Sequence, residues 1–175
     1  MTKRLGKDFY ENKTLKVAQN LLGKFLVRKI GNRVIAAKII ETEAYCGPKD
    51  RASHASRGRT ERTKIMFGPA GQAYVYLIYG MYYCLNVVTE KDGYPAAVLI
   101  RALEYSKADG PGKLCRELKI DKKLNAVNLT KNDKLWLEDR GEVIKPSQIE
   151  RSPRIGVDYA GEWKDKPWRF VIKSN

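Results

Sequence analysis

The chain has few of the residues that hold metals or cross-link a fold. It carries one histidine and three cysteines in 175 residues. Cys46, Cys84 and Cys115 are odd in number and far apart, with no CxxC among them. That pattern argues against a disulfide framework and against a zinc site of cysteine and histidine ligands, and it points to a reducing, cytoplasmic compartment. The cysteines read as buried apolar residues rather than as half of a catalytic pair with His54. Apolar runs are short. The longest, Ala73 to Ile78, has the length of a strand and not of a membrane span. The charged start MTKRLGKDFY lacks the apolar centre of a signal peptide. Also missing are GxGxxG after a strand, GxxxxGK[ST], HExxH, GxSxG and the HxE…PCxxC signature of zinc deaminases. No cofactor is expected, and hydrolysis would fall to a carboxylate and a water molecule.

Acidic residues are outnumbered: 34 lysines and arginines face 20 aspartates and glutamates, a net charge of +14. A basic surface on so small a protein attracts polyanions, of which phosphate backbones are the commonest inside cells. Membrane-surface binding is the weaker reading, because no basic amphipathic helix stands out. The length suits one domain spanning residues 1–175, with enough chain to bury a core without staples.

Leu15, Ala18, Leu21 and Leu22 recur at helical spacing and predict a helix over residues 14–22, capped by Gly23. Two strands follow, 24–30 and 33–43, joined at Gly31-Asn32. Residues 47–70 show little periodicity and many basic side chains. They read as a long surface loop with at most a helical turn, and loops of that length are usually functional. Strands are expected at 72–79 and 82–88, turning at Gly80-Met81, and at 96–102. Gly110-Pro111-Gly112 opens a short helix over 113–118, its glycine-rich start free to face phosphate. The LWLED, SPRIGV and WRFVIK segments read as further strands and loops. The order implies a mixed α/β (α+β) domain built on a largely antiparallel sheet.

In ETEAY, the side chains of Glu41, Glu43 and Tyr45 alternate and share one strand face. A lone glutamate there would be ordinary surface charge. Two carboxylates and a tyrosine beside a basic loop suggest more: positive surroundings would keep a glutamate ionised and able to take a proton from water. The segment AYVYLIYGMYYCLN holds five tyrosines. Some belong to a sheet core, but Tyr79 at a hairpin tip cannot easily be buried, and an exposed aromatic on a basic protein suits insertion into a duplex. Tyrosines facing a pocket suit stacking on an extruded base, worth about 1–3 kcal/mol against an unstacking cost of a few kcal/mol.

The blocks ETEAYCGPKDRASH, MFGPAGQAYVYLIYGMYYCLNVV, VLIRALE, GPGKLC and VDYAGEWKDKPWRF occur in the order and spacing of the alkyladenine (3-methyladenine) DNA glycosylase family, and the sequence resembles that family over nearly its whole length. The resemblance implies a curved antiparallel sheet like the C-terminal domain of methionyl-tRNA formyltransferase. It implies an enzyme that extrudes alkylated or deaminated purines from double-stranded DNA and hydrolyses their bond to the sugar; with no lysine placed as a Schiff-base nucleophile, the enzyme is expected to be monofunctional and to leave an abasic site. It assigns Glu43 as the base that activates water, with Arg101 holding that water and a phosphate. Tyr45 corresponds to the aromatic on one side of the flipped base, with His54 and Tyr76 on the other. Asn86 corresponds to a pocket residue that disfavours guanine. Tyr79 corresponds to the residue filling the vacated gap, Met81 to its neighbour, and Lys113 with the SPRIG segment to backbone contacts. A monomer is expected. A non-catalytic nucleic-acid-binding module and an enzyme acting on RNA purines remain the alternatives.

Overall fold

The structure is a computed structural model and describes residues 1–174. Its centre is one curved, nine-stranded antiparallel sheet. The strands are β1 (Lys3–Arg4), β2 (Phe25–Ile30), β3 (Arg33–Tyr45), β4 (Ala73–Ile78), β5 (Tyr82–Val88), β6 (Ala97–Glu104), β7 (Leu135–Asp139), β8 (Ile149–Ser152) and β9 (Arg169–Ile172). They run in the order β1-β7-β2-β3-β6-β5-β4, with β9 pairing with β3 and β8 with β9. Three short helices, α1 (Lys7–Tyr10), α2 (Thr14–Asn20) and α3 (Pro111–Glu117), complete the mixed α/β architecture. Among the described residues no helix is long and apolar enough to cross a membrane.

α2 lays Val17, Ala18 and the following Leu21 on the sheet, where they join Leu26, Ile39, Ile100 and Phe170 in the main core. The helix ends at Asn20 rather than Leu22 because the chain tightens after it: the Leu22 amide donates to the Gln19 carbonyl and the Gly23 amide crosses to Ile39. Gly23 has φ +82, and a Cβ there would lie 2.8 Å from the Ile144 side chain, so only glycine fits without movement.

The expected strands are present with small changes of extent; β3 runs on to Tyr45 and β6 to Glu104. LWLED forms β7 and WRFVIK contributes β9, whereas most of SPRIGV is an irregular segment after β8. β1 and α1, too short for periodicity, are not legible from the sequence. Residues 47–70 differ more. They contain two 3-10 turns, His54–Arg57 and Lys64–Phe67. Asp50, Ala52, Ser53, Ala55, Thr63, Met66 and Ala70 are buried. The segment is therefore a surface stretch with two short turns rather than one, whose inner side is packed into the molecule while Arg51, Arg57, Arg59 and Arg62 on its outer side stay exposed.

Candidate active site

The site depends on an irregularity in the β3–β6 ladder. Register shifts fall between Ile39 and Glu41 and between Glu41 and Thr42. Before this point Ala37 and Ile39 enter the core. After it Ala44 does so, and the Thr42 hydroxyl donates to the Ala18 carbonyl of α2 at 2.8 Å. On β6 the core residues likewise change from Ile100 to Leu103. Strict alternation from Ile39 would have driven Glu41 and Glu43 into the apolar core. The irregularity instead turns Glu41, Glu43, Tyr45 and Arg101 to the opposite face, as such features do near functional sites.

On that face lies a cavity of about 260 Å³, walled by Tyr45, His54, Tyr74, Tyr76, Asn86 and Arg101, with Tyr79 and Tyr159 also bordering it. The His54 and Tyr76 ring centroids are 4.6 Å apart, and those of Tyr74 and Tyr76 are 5.2 Å apart. His54 Nδ1 lies 3.1 Å from the Tyr74 hydroxyl. Burial, with Arg62 and Arg57 nearby, lowers its pKa to about 4, so the imidazole is neutral at physiological pH. The Asn86 Nδ2 donates to the Tyr74 carbonyl at 3.1 Å, which fixes its amide against the cavity wall.

Glu43 has no exposed surface and sits just behind this wall. Its Oε2 accepts from the Tyr45 hydroxyl at 2.8 Å, and its Oε1 accepts from the Ile155 amide at 2.8 Å. Arg101 Nη1 lies 3.5 Å from Oε1. Arg101 is itself held by Glu41, whose Oε1 accepts from Arg101 Nε at 2.8 Å and from Arg169 Nε at 2.6 Å. Burial pushes the Glu43 carboxyl above the usual carboxylate range; Arg101, then the Ile155 amide and the Tyr45 hydroxyl, pull it back. Desolvation is the larger influence on this carboxyl, and the positive neighbours oppose it. The arrangement still has three donors aimed at one carboxylate, and a raised pKa makes that carboxylate a stronger base.

Behind Tyr45 lies a buried pair. Arg154 donates from Nη1 to Asp50 Oδ2 at 2.6 Å and from Nη2 to Oδ1 at 2.9 Å, and both side chains are fully buried. Arg154 also donates to the Ala44 carbonyl at 2.9 Å, and its guanidinium carbon lies 4.8 Å from the Tyr45 ring centre. Asp50 accepts from the amides of Cys46 and Ala52. One ion pair thus ties the end of β3 to the residue preceding Ile155, whose amide reaches Glu43.

At the mouth, Tyr79 is 83% exposed. Tyr79 and Gly80 both have positive φ, and the Met81 amide donates to the Ile78 carbonyl, so the turn is centred one residue earlier than Gly80-Met81. Met81 is exposed beside it and does not line the cavity. Lys113 also lies outside the cavity, in α3, with its ammonium on Asp109 at 3.1 Å. Tyr45, His54, Tyr76, Asn86 and Arg101 are thus gathered on one cavity, Glu43 is joined to it through Tyr45 and Arg101, and Tyr79 stands at its entrance. Sequence reasoning missed Ile155, which contributes only a backbone amide, and Asp50 and Arg154, whose pairing spans about a hundred residues. It missed Tyr159 as well. The SPRIG run was the one hint of that region.

A tyrosine-walled cavity backed by a buried carboxylate and an arginine, on a strongly basic protein, has the parts of a hydrolytic enzyme that takes in an aromatic group. The sequence profile of the methylpurine-DNA glycosylase family matches residues 8–175, and the chain belongs to that family. It is 50% identical to a Methanocella arvoryzae protein provisionally named 3-methyladenine DNA glycosylase, over 98% of this chain and 93% of that one. Identically named proteins of Legionella pneumophila strain Lens and Clostridium perfringens strain SM101 are 52% and 42% identical, each over at least 96% of both chains.

Proposed function

We propose that the protein is a monofunctional DNA glycosylase of base excision repair, which extrudes an alkylated or deaminated purine from a duplex and hydrolyses its bond to the sugar. The observation that carries this reading is the buried Glu43 carboxylate, held by Arg101, Tyr45 and the Ile155 amide at the back of the aromatic cavity. The extruded base stacks between Tyr45 and the His54–Tyr76 pair. As the glycosidic bond lengthens, the sugar gains positive character, which the Glu43 carboxylate stabilises. Glu43 then takes a proton from water held with Arg101, the oxygen joins the sugar carbon, and the base leaves with the bonding electrons. A purine alkylated at N3 or N7 departs neutral. Hypoxanthine or ethenoadenine would need a proton as it leaves.

His54, neutral at physiological pH, does not repel a cationic base. Asn86 presents an amide fixed by Tyr74, and a guanine 2-amino group would conflict with it. Tyr79 fills the gap left in the stack, with Met81 beside it, and Lys113 contacts the backbone. No lysine lines the cavity among the described residues, which supports hydrolysis to an abasic site over a Schiff-base route. The protein acts as a monomer.

The test is base release from a labelled duplex carrying one hypoxanthine, run beside methylated DNA, with Glu43→Gln as the control. Release by the wild type and loss in the variant is the expected result. Duplex binding without release of any base would overturn the enzyme reading in favour of a binding module. Release from RNA in preference to DNA would reassign the substrate.

A further inference from the structure

Next to the base cavity lies a second cleft of about 410 Å³, lined by Arg51, Arg57, Arg62, Ser56, Thr60 and Tyr159, among others. The two share Ser53, His54 and Tyr159, so a single layer of side chains separates them. The arginines of this segment differ from the five elsewhere in the protein that sit on carboxylates. Arg101 and Arg169 hold Glu41, Arg140 holds Glu138 and Arg154 holds Asp50. Among the described residues, Arg51, Arg57, Arg59 and Arg62 form no ion pair with any carboxylate; Arg62 lies over the Tyr76 ring at 5.0 Å and donates to the Leu77 carbonyl at 3.4 Å. Gathering unpaired guanidinium groups is electrostatically unfavourable until an anion arrives, and their planar fork suits phosphate. Tyr159 adds a second feature. It is 67% exposed, yet its hydroxyl is pinned to the Ala52 carbonyl at 3.0 Å. The ring is thus held at the ridge between the two openings.

We propose that this cleft is a second nucleotide subsite. Resting on the glycosylase reading above, it takes a phosphodiester of the lesion-bearing strand next to the extruded nucleotide. Arg51 and Arg57 contact the phosphate and Tyr159 stacks on the neighbouring sugar or base. Charges along one strand recur about every 3.4 Å of helix axis. A nucleotide drawn into the tyrosine cavity therefore brings an adjacent phosphate within reach of a cleft one side-chain layer away. The site grips the damaged strand itself, so it engages a single-stranded lesion as well as a duplex.

The experiment uses the full protein and lesion oligonucleotides in which single phosphates are replaced by neutral methylphosphonates, on either strand. Binding is read by anisotropy and base release is measured in parallel. The wild type is expected to lose affinity at one or two lesion-strand positions flanking the lesion. The double variant Arg51→Gln/Arg57→Gln should bind unmodified DNA more weakly and be indifferent to those same replacements. Tyr159→Ala should weaken binding between about fivefold and a hundredfold, with an unchanged melting temperature as the check on folding. Sensitivity confined to the complementary strand, or an equal methylphosphonate penalty in wild type and double variant, would overturn the proposal. Failure of the wild type to release a base, with the phosphate pattern intact, would sink the glycosylase reading and leave the cleft standing.

Discussion

Glu43 and Tyr79 each hold a conformation or charge that costs the fold something. Burial raises the Glu43 pKa above its ordinary 4.5, so in that window the folded state holds a proton that the unfolded chain releases. Stability from this group therefore falls as pH rises through the window, while base activity rises. Glu43→Gln should accordingly lose at least about a hundredfold in base release yet melt no lower than the wild type at pH 7. A marked drop in melting temperature would show that the ionised carboxylate supports the fold. The same direction sets the pH profile. Single-turnover base release should have an acidic limb with its midpoint above 4.5, and Arg101→Gln, which removes the principal neighbouring cation, should move it further alkaline. An unmoved limb in that variant would detach Arg101 from Glu43. Tyr79, with φ +53, sits in the left-handed region that costs a residue with a side chain roughly 1–2 kcal/mol. Asparagine tolerates that conformation, so Tyr79→Asn should raise stability by up to about 1 kcal/mol in urea unfolding while impairing release from lesion duplex. Unchanged release would remove the tip from the extrusion step.

The segment from Cys46 to Phe67 owes its order to the buried Asp50–Arg154 pair more than to any regular element. Breaking one side of such a pair costs about 3–5 kcal/mol because a buried charge is left uncompensated. Arg154→Met should lose that much in urea unfolding. Asp50→Asn/Arg154→Met should lose clearly less, since no buried charge is then left uncompensated, although the single side-chain oxygen can keep only one of the two bonds that the Cys46 amide makes to Oδ2 and the Ala52 amide to Oδ1. A double variant worse than the single would show that the pair's hydrogen bonds, and not its charge balance, hold the segment. This pair also explains where the sequence stopped being readable. The hairpins β2–β3 and β4–β5, the helix α2 and the aromatic face of β4 rest on contacts between near neighbours, whose periodicity and turn residues are local signals. Glu43 was legible because it alternates with Tyr45. What alternation could not show is which way that face points: Ile39 and Glu43 share a parity, yet one enters the core and the other leaves it, and only the ladder irregularity near Glu41 separates them. The order of residues 47–70, the Ile155 amide and the Tyr159 ridge come from contacts across about a hundred residues, which carry no local period.

Across the whole molecule, the excess of +14 is unevenly committed. Arginines in the sheet are largely tied to carboxylates or carbonyls, whereas Arg51 and Arg57 at the cavity's edge make no ion pair among the described residues. That division bears on how salt should act. Each phosphate neutralised releases counterions, and log K falls against log salt with a slope of about −0.9 per contact. Contacts made to an undamaged duplex set a baseline slope. Stacking in the cavity between Tyr45 and the His54–Tyr76 pair involves no counterion release, so extrusion alone leaves that slope unchanged. If extrusion also draws a phosphate against Arg51 and Arg57, lesion binding must be steeper than binding to undamaged DNA, by roughly one for each phosphate gained. We expect a difference of about one to two, measured by anisotropy titrations from low to physiological salt with matched lesion and undamaged duplexes. The Arg51→Gln/Arg57→Gln variant should show parallel lines. Parallel lines already in the wild type would mean that the discrimination between damaged and intact DNA comes from the tyrosine cavity alone. A slope near zero for both duplexes would mean that the basic surface serves some purpose other than holding DNA.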